Sequence, residues 1–210
     1  MNQKSRTEQG FSLLESLIVI GIILVLSSIT IFKSFGTMEN YRANAGMDIV
    51  RSQLRVARGV AISQRRNVQI TFNLAANPQS ITYTVQAGSY AGSKEKNGTP
   101  VTMPLPNQVQ FTTEAGEADT PMGFGVCGGK SGAICVGPPN NPVGGGPAIM
   151  GFNTMGQFTD STYVNVLNGT VLLGIPNQPA TARAVTIMGG TGRIRSYSFV
   201  GGTGSSQWTE

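Results

Sequence analysis

From Phe11 to Phe32 the chain reads FSLLESLIVIGIILVLSSITIF, 22 residues with a single charge, Glu15. As a helix rising 1.5 Å per residue this run is about 33 Å long, which matches the roughly 30 Å hydrocarbon core of a bilayer. The polar stretch MNQKSRTEQG ahead of it carries Lys4 and Arg6. That bias predicts a cytoplasmic N-terminus, with everything after Phe32 on the far side of the membrane. Ser27 and Ser28 lie inside the run, but no small-residue cleavage site follows it, so the segment reads as a retained anchor.

Composition narrows the chemistry. None of the 210 residues is histidine, which removes imidazole bases, His-based triads and His-ligated metal sites. No nucleophile–base pair is readable, and no cofactor or metal is expected. Charged residues are 12% of the chain, about half the usual share, and the net charge is +5. A modest basic excess is by itself only a soluble surface. Cys127 and Cys135 flank seven residues, a spacing that fits no common zinc site. In an oxidising compartment they would close a Gly-rich loop as a disulfide; in a reducing one they are two small hydrophobes.

Beyond Lys33 the helical pattern continues, and no proline occurs before Pro78. Ala43, Met47, Val50, Leu54, Ala57 and Ala61 recur at alternating spacings of four and three, an amphipathic seam whose small members suit packing against a sheet. The spacing predicts a helix from near Ser12 to about Gln64, with Gly36 and Gly46 as weak points. Arg51, Arg55, Arg58 and Arg65 share another face, with Arg66 beside them. That stripe is a solvated face, or it meets an acidic partner subunit or a polyanion.

After Arg66 the period changes to two. Residues 68–72 and 81–85 alternate around the turn Ala76–Ser80 and predict a hairpin. Further strands are expected at 109–112, 149–152, 163–167, 170–174, 184–188 and 193–200. The stretches 88–107 and 128–147 are rich in turn residues, and the second contains GPPNNPVGGGP, which predicts an exposed irregular loop. The expected class is α+β, one long N-terminal helix followed by an antiparallel β head.

Glu15 needs a reason, because a carboxylate inside a spanning helix costs about 2.5–3.5 kcal/mol. The run Gly10-Phe11-Ser12-Leu13-Leu14-Glu15 resembles the processing motif of type IV pilins and type II secretion pseudopilins. The resemblance implies cleavage by a prepilin peptidase between Gly10 and Phe11, and N-methylation of Phe11. It also implies that Glu15 pairs with the Phe11 amine of a neighbouring subunit during assembly. A buried carboxylate needs such a cation, and packed identical helices supply it repeatedly. The proline common near the end of this segment in major pilins is missing here, where Phe32 and Lys33 stand.

Three later stretches narrow the resemblance to GspH/FimT-type minor pilins and pseudopilins. They are the helix end Leu54-x-x-Ala57-Arg58-x-x-Ala61, the strand and turn Ile149–Gly156, and the final hairpin from Ala184 to Gly192-Arg193-Ile194-Arg195. The implied layout is a leader at 1–10, a transmembrane and filament-core helix at 11–32, an amphipathic helix at 33–66 and a periplasmic head at 67–210. The implied fold is type IV pilin-like. The implied role is a minor subunit that helps to initiate a type IV pilus near its tip. Its partners would be the peptidase, other major and minor pilins, the inner-membrane assembly platform and membrane lipid. A periplasmic head would make Cys127–Cys135 a disulfide.

Two alternatives remain open at this point. One is a pseudopilin of a type II secretion system. The other is a DNA-binding minor pilin for uptake in natural transformation, with Arg193 and Arg195 as contacts and Lys130 and Arg183 as further candidates. Residues 193 and 195 lie about 7 Å apart on one strand face, close to the spacing of successive phosphates. The same alternation also follows from burying Ile194 alone.

Overall fold

In the computed structural model the described residues are 12–88, 96–114, 116, 120–121, 124, 132–137, 149–201 and 207–210, with only the backbone described over 29–37. The chain divides into two compact units, Met1–Met38 and Glu39–Glu210. Helix α1 runs from Leu13 to Gln64 without a break, so Gly36 and Gly46 do not interrupt it. At Gly46 the missing side chain is used for packing: a Cβ there would lie 2.9 Å from Val109 Cγ1 and 3.2 Å from Leu173 Cδ1.

The first unit holds the start of α1. Every described side chain from Ser12 to Ser28 is exposed, including Leu13, Leu17, Ile20 and Leu24. Among the described residues no helix is long and apolar enough to cross a membrane; of the expected 11–32 span, side chains are described only for 12–28.

In the second unit the α1 seam is buried as its spacing predicts. Ala43, Val50, Leu54, Ala57 and Ala61 are wholly inaccessible, and Met47 packs at the edge of the same cluster. Burying a leucine of this kind contributes about 1.5–3 kcal/mol. From Met47 onward the seam belongs to one core with two antiparallel five-stranded sheets.

The first sheet contains β1 (Val68–Asn73), β2 (Ser80–Val85), β3 (Val101–Pro104), β5 (Ile149–Phe152) and β6 (Phe158–Thr159), in the order β3-β2-β1-β5-β6. Its β1–β2 hairpin pairs Val68 with Val85 and Asn73 with Ser80. Val68, Ile70 and Phe72 point into the core in strict alternation. The second sheet contains β4 (Ile134–Gly137), β7 (Asn168–Leu173), β8 (Arg183–Met188), β9 (Arg193–Phe199) and β10 (Trp208–Thr209), in the order β10-β9-β8-β7-β4.

Four strands escaped the sequence pattern. β3 is an edge strand exposed at all four residues, so no burial shapes its composition. β4 is four buried residues inside the stretch expected to be an irregular loop. Its run Ile134-Cys135-Val136 pairs with β7, placing Cys135 opposite Thr170. β6 and β10 have two residues each, too few for a period to show. Conversely, the strands expected at 109–112 and 163–167 reduce to single bridges, Gln110 with Gly174 and Val166 with Thr159.

Candidate functional site

The helix stripe and the last hairpin form one site. Arg51, Arg55 and Arg58 stand at successive four- and three-residue steps of α1 and so share a face. Opposite them the β8–β9 hairpin turns through Gly189-Gly190-Thr191-Gly192, closed by a 2.7 Å bond from Gly192 N to Met188 O. Gly192 adopts φ 63°, a conformation glycine takes without penalty. Beyond it, Ile194 is buried, which places Arg193 and Arg195 together on the other face of β9. Between the two walls lies an open groove of about 830 Å³ lined by all five arginines.

Among the described residues one carboxylate sits in this groove. Glu210 Oε2 accepts from Arg195 Nη1 at 3.0 Å. It is held there by β10, where Trp208 pairs with Phe199 and Thr209 with Ser198. Trp208 is buried, its ring 5.5 Å from that of Phe199. The Arg195 guanidinium is held above its usual pKa, first by the hydrogen bond with Tyr197 and then by the charge of Glu210. Arg58 is fixed at the turn end, where its Nε donates to Gly156 O at 3.2 Å. Arg51 lines the groove with its Nε buried and without an acceptor.

Arg65, Arg66 and Arg183 are placed elsewhere. Arg65 ends the helix in a left-handed conformation, φ 51°, and Arg66 donates to the carbonyls of Gln86 and Lys96 at 2.8 Å each. Arg183 corrects an expectation. It is only 6% exposed, and burial lowers its pKa. Its guanidinium donates to Asn44 Oδ1 at 2.7 Å, Asn40 Oδ1 at 3.1 Å and the carbonyls of Ala180 and Ala182 at 3.1 and 2.8 Å. A side chain consumed in this way clamps α1 to β8 and is not presented to a polyanion.

Glu15 lies in the first turn of α1, exposed, where a carboxylate suits the positive helix end. Gly10, Phe11, Lys130 and Cys127 lie outside the described residues. Cys135 is disulfide-bonded. No cluster of acidic or sulfur ligands able to hold a metal occurs among the described residues. Sequence reasoning missed Glu210. The only available signal was the lone tryptophan two residues before it, a large apolar anchor after a Gly/Ser-rich stretch.

No protein-family model matches the chain, and no curated protein does. Among solved structures it is similar to the type IV minor pilin FimU of Pseudomonas aeruginosa. The TM-score is 0.45 and the identity 13%, over 83% of this chain and 97% of that one. A second crystal form of FimU gives 0.42 and 14%, over 80% and 97%. The minor pseudopilin EpsH from the Type 2 Secretion System of Vibrio cholerae gives 0.43 and 11%, over 75% and 97%. At these scores the likeness carries no argument about function.

Proposed function

We propose that this chain is a minor pilin or pseudopilin, a non-enzymatic subunit of a type IV pilus-type filament. The carrying observation is the start of α1. Its described apolar side chains from Leu13 to Leu26 are exposed all round, so this helix needs an apolar environment from outside the chain. A helix that is apolar on every face belongs in a bilayer or in the core of a helical assembly. Glu15 in its first turn supplies the charge that a filament would use to set register.

In this reading a prepilin peptidase cuts between Gly10 and Phe11 on the cytoplasmic face, and Phe11 is N-methylated. The helix holds the subunit in the inner membrane with its head in the periplasm. The subunit then moves into a filament with other major and minor pilins on the assembly platform, helping to initiate it near the tip. Glu15 pairs with the amine of a neighbouring Phe11.

The test is complementation with Glu15→Ala, scored for subunit recovered in sheared filaments, beside mass spectrometry of the mature N-terminus. The expected result is a stable subunit, starting at methylated Phe11, that is lost from filaments. Normal incorporation of Glu15→Ala, or an uncut leader, overturns the reading.

A further inference from the structure

The arginine groove is a built surface with a carboxylate already in it. Among the described residues five guanidiniums face one carboxylate, Glu210, which leaves this lining strongly positive. Among the described residues, those between the two arginine walls are small or aliphatic, Thr191, Gly192 and Ser196 among them, and none is aromatic. Nucleobases would find no ring to stack on there, the contact on which single-strand binders depend.

The spacing that fits successive phosphates fits a polypeptide equally, and the absence of a stacking ring among the described lining residues turns the choice toward the polypeptide. Arg193 and Arg195 are alternate residues of one strand. Their side chains repeat at about 6.6–6.8 Å, the same interval as alternate side chains of any extended chain. A peptide lying along β9 with acidic residues at every second position would meet both guanidiniums in register. Arg51 and Arg55, one helical turn apart, cover it from the other wall. Glu210 shows the contact in miniature, reaching Arg195 from the neighbouring strand β10.

We infer that this groove docks an extended acidic segment of a neighbouring subunit, its carboxylates paired with Arg193 and Arg195 on one side and Arg51 and Arg55 on the other. The inference rests on the filament reading for its partner and names the surface that partner meets. Glu210 occupies part of the groove in the free subunit and gives way to the stronger multivalent ligand.

The full chain in detergent micelles is titrated at low salt with a fluorescent peptide of alternating glutamate and serine, and separately with a duplex oligonucleotide of equal charge. The peptide should bind. Arg193→Gln/Arg195→Gln and Arg51→Gln/Arg55→Gln should each weaken it about tenfold, whereas Arg65→Gln outside the groove leaves it unchanged. Glu210→Gln should tighten it about two- to fivefold, a gain that misfolding cannot produce. Absence of peptide binding, equal loss with Arg65→Gln, or tighter binding of the oligonucleotide through the same arginines overturns the inference; the last outcome makes the groove a nucleic-acid site. Failure of the Glu15→Ala test leaves these affinities untouched, so the two ideas fail separately.

Discussion

Arg58 and Gly156 are joined by a 3.2 Å hydrogen bond from the guanidinium Nε to the backbone carbonyl. The same two residues hem in Gly192. A Cβ at position 192 would lie 2.1 Å from Gly156 O and 2.5 Å from Arg58 Nε. The helix end, the turn after β5 and the final hairpin therefore meet at one point, and a side chain at 192 has no room there. Because Gly192 also has φ 63°, Gly192→Ala should lower stability by about 2–3 kcal/mol, combining backbone strain with the steric clash. Gly190, with nothing within 4 Å of a built Cβ, is the control. Gly190→Ala should shift the melting temperature little, and equal losses at both positions would refute this account.

Arg183 should behave as a structural residue and not as an anion contact. Arg183→Ala removes the bonds that Arg183 makes to Asn40, Asn44 and the carbonyls of Ala180 and Ala182. Only the Ala182 carbonyl among these acceptors belongs to a buried residue, whereas Asn44 and Ala180 are exposed and can rehydrate, so a net loss of about 1–3 kcal/mol, the cost of one unsatisfied buried group, is expected. Denaturant unfolding measures it. At a temperature where the variant remains folded, peptide affinity at the arginine groove should match the parent. A tenfold weaker affinity with unchanged stability would restore Arg183 to the binding surface.

Where burial imposed a period, the fold was legible. The α1 seam, the alternation of Val68, Ile70 and Phe72, and the β8–β9 hairpin can all be read directly from residue spacing. β3 was invisible because an exposed edge places no demand on composition. β4 was masked by the glycines and prolines around three apolar residues. The candidate site was half legible. Arg193 and Arg195 stood out by local pattern, as did the helix stripe, but their meeting depends on how α1 crosses the second sheet. Arg183 misled for the same reason: sequence gives a charge, whereas its direction depends on Asn40 and Asn44 more than a hundred residues earlier.

The cysteines give a redox prediction. Cys135 is buried in β4 and disulfide-bonded, and Cys127 is the one other cysteine in the sequence. We expect the native chain to weigh two hydrogens less than the reduced chain. Reduction should cost about 2–3 kcal/mol, the loop-entropy value for so short a closure. The loss should be largest at the β4 edge, so amide exchange at Ile134–Gly137 should rise before that of β8. Uniform exchange, or no mass difference, would count against it.

Alkaline pH should destabilise the head through Tyr163. This residue has a left-handed backbone, φ 63°, and its ring covers Gly151 of β5, where a Cβ would lie 2.5 Å from Tyr163 Cε1. Burial pushes its hydroxyl up to about 12 from an ordinary 10. Between those values the unfolded chain has released a proton that the folded chain keeps. Raising the pH therefore favours unfolding. The stability contribution is fully present below about pH 10 and is lost as the pH climbs toward about 12. Tyr163→Phe removes the titrating group while keeping the ring over Gly151, so its stability should fall less steeply across that window. Denaturant midpoints at pH 9, 10 and 11 compare the two chains. Parallel curves would show that the Tyr163 hydroxyl stays hydrated in the folded state.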